Sequence, residues 1–214
     1  MVRQIQRAMV VGAMAMLAAC SSARRPEPPG VAPVAIPPAN AAQLAAALRQ
    51  GGLVLFVRHA ATDTAHDDAA RIVIEDCATQ RNLSPLGRAQ AEGIAHAIAR
   101  LGVPIGEVRS SPFCRCADTA RLAFGYMLLD NDLLPAHSSN AQRHLAAVRR
   151  LLGTPPIPGR NAVLVGHADT LKAILGIELE EGETLIVRPA PAGGSFAPLG
   201  RSRAEQWTAV ANGG

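Results

Sequence analysis

The chain has 214 residues, of which 21 are basic and 17 acidic, for a formal net charge of +4. That length suits one domain with an appendage. Aromatic residues make up only 3 % of it, which excludes the stacking platforms of a single-stranded nucleic-acid binder.

The first twenty residues read as a leader rather than as part of a fold. Arg3 and Arg7 make a basic start, and the stretch from Ala8 to Ala19 is apolar and uncharged. Such a run is short for a bilayer span and has signal-peptide proportions. It ends Leu17-Ala18-Ala19-Cys20, which resembles the lipobox of bacterial lipoproteins. The resemblance implies lipidation of Cys20 after export. Ser21 in the next position implies the periplasmic face of the envelope, at the outer membrane. Without Arg3 and Arg7 the charge falls from +4 by two, to +2, so no nucleic-acid partner is expected. Residues 21–39 are rich in Pro, Ala and Ser and read as an extended tether. Residues 40–214 are then the folded domain, of a size for one large core.

Asn40 reads as the N-cap of an alanine-rich helix over Ala41 to Gln50, closed by Gly51-Gly52. Leu53 to Val57 is a short apolar run, the mark of a buried strand. Residues 60 to 82 are polar and irregular, a solvated loop or a lid. Ser84 as N-cap and Pro85 in the first turn begin a helix whose apolar face recurs through Leu101, where Gly102 ends it. A short strand over Glu107 to Ser110 follows, then a helix from about Phe113 to Phe124. A variable region, Gly125 to Ser139, leads to a helix over Asn140 to Leu152. Ala162 to Gly166 is a strong strand, and Thr170 to Leu175 a helix. Two more strands are predicted near Thr184 to Arg188 and Gln206 to Val210. Strands alternating with helices imply an α/β fold, a mostly parallel central sheet with helices on both faces.

Cys77, Cys114 and Cys116 remain after Cys20, in a compartment that permits disulfides. Three thiols allow one bridge. Cys114 and Cys116 are too close to pair easily, so Cys77–Cys114 is expected, tethering the 60–82 loop beside Arg115. Closing that loop would stabilise by about 3–4 kcal/mol if unstrained. Cys-x-Cys plus a His is also half of a zinc site. No second paired-ligand motif accompanies it, so no metal is expected.

Two histidines each end an apolar run: Val57-Arg58-His59 and Val165-Gly166-His167. Sites in open parallel sheets form at such carboxyl ends. Ser110-Ser111-Pro112-Phe113-Cys114-Arg115 follows another strand, and Leu83-Ser84-Pro85-Leu86-Gly87-Arg88 lies between. Arg58-His59-Ala60-Ala61-Thr62 is similar to the Arg-His-Gly-Glu-Thr motif of the histidine phosphatase (phosphoglycerate-mutase-like) superfamily. Ser110 to Ala120 resembles its second block. The resemblance runs in order from about Leu53 to about Leu175 and implies that superfamily's fold.

It also implies phosphoryl transfer through a phosphohistidine. The residues have physical reasons of their own. A neutral His59 can attack phosphorus without a separate base. Arg58 and Arg115 can grip phosphate oxygens, and His167 can add a donor. These cations remove the need for a metal or cofactor. Arg81 and Asn82 are candidate substrate contacts by analogy. Ser84, Thr62 and Arg88 read instead as cap, turn and solvated surface.

Two departures stand out. Ala60 replaces the family's Gly, which narrows the backbone's freedom after the nucleophile. Many relatives also carry a general-acid Glu some fifteen to twenty residues after the second Arg block, and Leu129 to Pro135 has none. Asp63 is preferred as the acid because it directly follows the first motif, with Asp169 as runner-up. Glu181, Glu183, Asp130 and Asp132 stay open.

The sequence therefore points to a phosphomonoesterase, a histidine acid phosphatase-type hydrolase of small phosphorylated substrates, held at the membrane by lipid. The rival is a phosphate-binding lipoprotein that lost turnover along with its acid. An envelope-structural protein would have no use for Arg58, His59, Arg115 and His167 together.

Overall fold

The computed structural model describes residues 31–36 and 40–207. The leader, Cys20 and the lipidation reading lie outside the described residues. Five helices and six strands follow one another: α1 (Ala41–Gln50), β1 (Val54–Arg58), α2 (Pro85–Leu101), β2 (Ile105–Ser110), α3 (Cys114–Phe124), β3 (Leu128–Leu129), α4 (Ala141–Leu152), β4 (Asn161–Gly166), α5 (Ala168–Leu175), β5 (Thr184–Pro189) and β6 (Phe196–Ser202). Among the described residues, no helix is long and apolar enough to cross a membrane.

The strands form one sheet in the order β3-β2-β4-β1-β5-β6. The pairs β3–β2, β2–β4 and β4–β1 are parallel, and β5 and β6 are added antiparallel. Successive side chains of a strand face opposite ways, so one apolar strand feeds two cores. Leu55, Val57, Val163, Val165 and Ile186 face α1, α2 and α3, against Leu48, Ile94 and Ala120. Val54, Phe56, Leu164, Leu185 and Val187 face α4 and α5, against Val148, Leu152 and Leu171. Burial on both faces is why β1 and β4 read as unbroken apolar runs.

The expected helices form within a few residues of their boundaries, each with a local cause. Asn40 accepts the Ala42 N–H at 2.9 Å and Ser84 the Gly87 N–H at 3.1 Å, which are N-cap contacts. Gly102, Gly125 and Gly176 end α2, α3 and α5 in the left-handed conformation.

The last strand is a correction. It runs over Phe196–Ser202, whereas Gln206 and Trp207 sit in a helical turn with Trp207 buried. Pro198 and Gly200 hide a strand from sequence reading, but β6 is the sheet's edge, where a missing N–H is tolerated. The end of the Pro-rich tether also departs from a free linker. Val34 N–H donates to the Leu175 carbonyl at 2.9 Å, and Ile36 packs against the α4–α5 core.

Candidate active site

The register of β1 with β4 assembles the site. Arg58 pairs with Gly166, so the chain leaves both strands side by side, and His59 N–H donates to the Gly166 carbonyl at 3.0 Å. The two imidazoles meet edge-on, with ring centroids 5.7 Å apart. Ser110 pairs with Val165 across β4, which sets Ser111 and the start of α3 against His167. Gly166 suits this crowded edge, because a Cβ there would lie 2.9 Å from the Phe56 ring.

His59 is buried, and its Nδ1–H donates to the Ala60 carbonyl at 3.0 Å. A carbonyl can only accept, so Nδ1 carries the proton and Nε2 keeps its lone pair. Burial pulls the His59 pKa down to about 3, opposed by the Ala60 bond and helped by the charges of Arg115, Arg58 and Arg81. The ring is therefore neutral across the physiological range. Ala60 causes no strain, since Asn140 is the one non-glycine residue with positive φ among those described. Its N–H donates to Thr119 Oγ1 at 3.0 Å, and Ala61 N–H donates to Gln90 Oε1 at 2.9 Å. Gly87 lets α2 press on the same loop, because a Cβ there would collide with the Ala61 carbonyl.

Three arginines send their charge to His59. Arg58 Nη1 donates to the Leu179 carbonyl at 2.7 Å. Arg115, buried in the first turn of α3, lies 4.4 Å over the Phe113 ring, and its Nη1 donates to Asp68 at 3.1 Å. The backbone N–H of Arg81 donates to the same Asp68 carboxylate at 2.7 Å. Each of these arginines has a buried Nε with no partner. Buried donors are normally satisfied, and three unpaired ones on the arginines whose charge reaches a neutral imidazole suit a tetrahedral oxyanion.

His167 is buried too. Its Nε2 lies 3.0 Å from Ser111 Oγ, with the thiol of Cys116 at 3.7 Å. Burial, then the charges of His59 and Arg115, hold its pKa well below the ordinary histidine range. Cys116 is fully buried, and burial pushes its thiol up to about 12, so it is a poor nucleophile. No group of three metal-ligating side chains occurs among the described residues.

The bond Cys77–Cys114 is formed, and Cys116 is free. It fastens the 60–82 loop to the start of α3. Gln80 Oε1, accepting the Cys114 N–H at 2.8 Å, adds a second fastening. Asn82 belongs to this scaffold. Its Nδ2 donates to the carbonyls of Cys77 (2.7 Å) and Gln80 (3.0 Å), so the loop occupies the amide nitrogen, while its buried Oδ1 has no partner.

The carboxylates sort differently from the sequence expectation. Asp63 is turned to solvent. The Ala65 N–H and then His66, at 2.8 Å, hold its carboxyl below the usual range, the wrong direction for a proton donor. Asp169 bonds His137 Nδ1 at 2.8 Å. Asp130 pairs with Arg109, Asp132 with Arg143, and the buried Glu183 with Arg201. Glu181 is the surprise. Its Oε1 lies 4.0 Å from His59 Nδ1 and 3.7 Å from Arg58, and it accepts the Thr62 hydroxyl at 2.8 Å. Thr62 and Ser111 are thus site residues that the sequence reading left as turn and motif filler. The signal for Thr62 lay in its place directly after the first histidine motif.

Residues 54–135 match the model of the histidine phosphatase superfamily (branch 1). No curated protein matches in sequence. Among solved structures, the protein histidine phosphatase SixA complexed with tungstate superposes with a TM-score of 0.52 at 14 % identity, covering 72 % of this chain and 98 % of that one. An Entamoeba histolytica phosphoserine phosphatase in complex with phosphoserine gives 0.51 at 14 %, over 72 % and 98 %. A mycobacterial glucosyl-3-phosphoglycerate phosphatase gives 0.51 at 17 %, over 72 % and 100 %. At such identities the likeness is one of fold. The sequence match to the histidine phosphatase superfamily covers residues 54–135, and the fold and the order of motifs agree with it.

Proposed function

We propose that this protein is a cofactor-independent phosphomonoester hydrolase that works through a phosphohistidine on His59. The observation that carries this reading is the state of His59. It is neutral, its Nδ1–H is fixed on the Ala60 carbonyl, and three guanidinium groups with unpaired Nε atoms act on it.

The chemistry follows from that geometry. The arginines bind the phosphoryl oxygens, and His59 Nε2 attacks phosphorus in line as the ester P–O bond breaks. The leaving oxygen takes a proton. Water then attacks the phosphohistidine, the P–N bond breaks and inorganic phosphate departs. Donors already aimed at the oxygens stabilise the loose transition state, so the protein's work is positioning and charge. His167 serves as a further donor to the transferring group. Small phosphorylated molecules are the substrate class. The three solved relatives act on a phosphorylated protein histidine, phosphoserine and a glucosylated phosphoglycerate. Their shared fold therefore does not select the ester.

We place the reaction at the cell envelope, with residues 1–20 as a lipoprotein leader, Cys20 as the lipidated residue, residues 21–39 as the tether and residues 40–214 as the domain. The Leu17-Ala18-Ala19-Cys20 sequence supports this. Metabolic labelling with a fatty acid tests it. The wild type takes up label and sediments with membranes, whereas Cys20→Ser does neither; an unlabelled wild type refutes the anchor.

The activity test uses the chain lacking residues 1–20, a nitrophenyl phosphate and a chelator. Turnover that continues with the chelator and disappears in His59→Ala supports the hydrolase. Binding of inorganic phosphate without turnover of any ester supports the alternative, a phospho-ligand-binding lipoprotein. That alternative has one observation behind it: Asp63, Asp130, Asp132, Glu181 and Glu183 are all engaged in hydrogen bonds or ion pairs with other side chains.

A further inference from the structure

The reaction proposed above needs a proton for the leaving group, and the carboxylates in reach are poor sources. Glu181 accepts the Thr62 hydroxyl at 2.8 Å and its N–H at 3.3 Å, with Arg58 at 3.7 Å. All three contacts are made to its carboxylate oxygens. It also stands on the Nδ1 side of His59, away from the attacking Nε2. Asp68 is held by Arg115 and the Arg81 N–H. Glu183 accepts the Glu180 N–H at 2.8 Å and pairs with Arg201 at 3.1 Å.

One pair is of a different kind. His137 comes from the segment between β3 and α4. Its Nδ1 lies 2.8 Å from Asp169 Oδ2. Asp169 sits in the first turn of α5, the helix capped by His167, so the pair is fixed two residues from the phosphate-binding imidazole. The positive charge of His137 is felt at His167, and the negative charge of Asp169 is felt at Cys116, itself 3.7 Å from His167. The His137 side chain is 81 % exposed. An exposed ion pair of this kind contributes little to stability. Its place on the first turn of α5, two residues along the chain from His167, gives it another use.

We propose that His137, oriented by Asp169, is the proton donor to the leaving group. As His59 Nε2 bonds to phosphorus and the ester P–O bond breaks, the imidazolium of His137 gives its Nε2 proton to the departing oxygen. Its Nδ1–H stays on the Asp169 carboxylate. The neutral His137 then takes a proton from the water that attacks the phosphohistidine. The P–N bond breaks, phosphate leaves and the imidazolium is restored. Asp169 is a positioning residue in this scheme. The inference rests on the hydrolase reading.

The experiment compares kcat/KM across phosphate monoesters of rising leaving-group pKa, from nitrophenyl through phenyl to alkyl. It uses the chain lacking residues 1–20 as wild type, His137→Asn, Asp169→Asn and His66→Asn. Loss of a general acid costs about 10²-fold or more where the leaving group needs its proton. In His137→Asn the alkyl ester should therefore slow by about 10²-fold, and the nitrophenyl ester by far less, so the dependence on leaving-group pKa steepens. The surviving nitrophenyl turnover also shows that the variant is folded. Asp169→Asn should shift the same way by a smaller factor. His66→Asn removes an exposed His–Asp pair of the same 2.8 Å geometry and should follow the wild type. Equal losses on every ester, or no loss on the alkyl ester, would overturn the assignment. A wild type that turns over none of the esters refutes the hydrolase reading instead.

Discussion

The strand ends after β1 and β4 lie side by side in register, yet they fix their imidazoles by opposite means. His59 gives its Nδ1–H to a backbone carbonyl, which no change of conditions turns into a donor. His167 meets a side-chain hydroxyl, Ser111 Oγ, that can donate or accept. The first arrangement permits one tautomer, with a free lone pair on Nε2, and suits a nucleophile. The second leaves the tautomer to a neighbour. With the Ser111 hydroxyl donating to Nε2, the proton sits on Nδ1, and His167 presents a donor to an anion. With equal burial and depressed pKa values, the two rings are thus separated by the partner each one has, and the proposed roles of attacking group and binding group follow that difference.

Exchanging each ring for an amide is the strongest way to break this comparison. His59→Asn should lower turnover of an aryl phosphate by about 10⁴-fold or more, since removing a nucleophile abolishes the covalent route. Trapping under alkaline denaturing conditions, which preserve a P–N bond, should find phosphoenzyme in the wild type and none in this variant. A phosphoenzyme that forms in His59→Asn would move the nucleophile elsewhere. His167→Asn should cost about 10²–10³-fold, the usual loss for one donor to a developing charge, and should still show a slowly formed phosphohistidine.

The depressed pKa values set a second test. An unfolded histidine takes a proton near pH 6.5, whereas folded His59 refuses it until about pH 3. Between those values the unfolded chain binds more protons, so stability rises with pH and falls as the solution is acidified. The full span is worth on the order of 5 kcal/mol for His59. Urea melts at pH 7.5 and pH 4.5 should show about 3 kcal/mol of it, and His59→Asn should reduce the difference, leaving the share of His167. An unchanged slope in that variant would mean that His59 is not held neutral by the fold.

Much of the fold was legible because its signals are local. The runs at β1 and β4, the caps at Asn40 and Ser84 and the closing glycines each act within one turn or strand. The histidines could be placed because a parallel sheet puts its chemistry at the strands' carboxyl ends. The carboxylates could not, because their positions depend on pairing across the sheet. β5 runs antiparallel to β1, so the segment before β5 arrives where β1 ends, and Gly182 N–H donates to the His59 carbonyl at 2.9 Å. That contact carries Glu181 to the nucleophile from more than a hundred residues away. Asp63 failed for the converse reason. Closeness in sequence put it beside the motif, but Thr62 pairs with Leu83 and the chain turns outward just after. β6 was hidden by Pro198, whose cost vanishes only at an edge that sequence does not reveal.

The finest test of the comparison touches neither histidine. Ser111 is fully buried, and its hydroxyl receives the Phe113 N–H at 3.5 Å while facing His167 Nε2 at 3.0 Å. If it accepted from His167 instead, the lone pair of Nδ1 would be the face left for a phosphate oxygen, and two acceptors would repel. Donation from Ser111 is the arrangement that lets a neutral His167 bind an anion. Ser111→Ala removes that preference without removing the imidazole. Turnover should fall by about 10-fold, the scale of one hydrogen bond in a buried site. The ¹⁵N shifts of His167 should move from a single Nδ1–H tautomer toward a mixture, whereas those of His59, fixed by Ala60, should stay put. Ser111→Thr keeps the hydroxyl and should restore both rate and shifts. A His167 that keeps its Nδ1–H tautomer in Ser111→Ala would show that the phosphate side of the pocket, rather than Ser111, holds the proton in place.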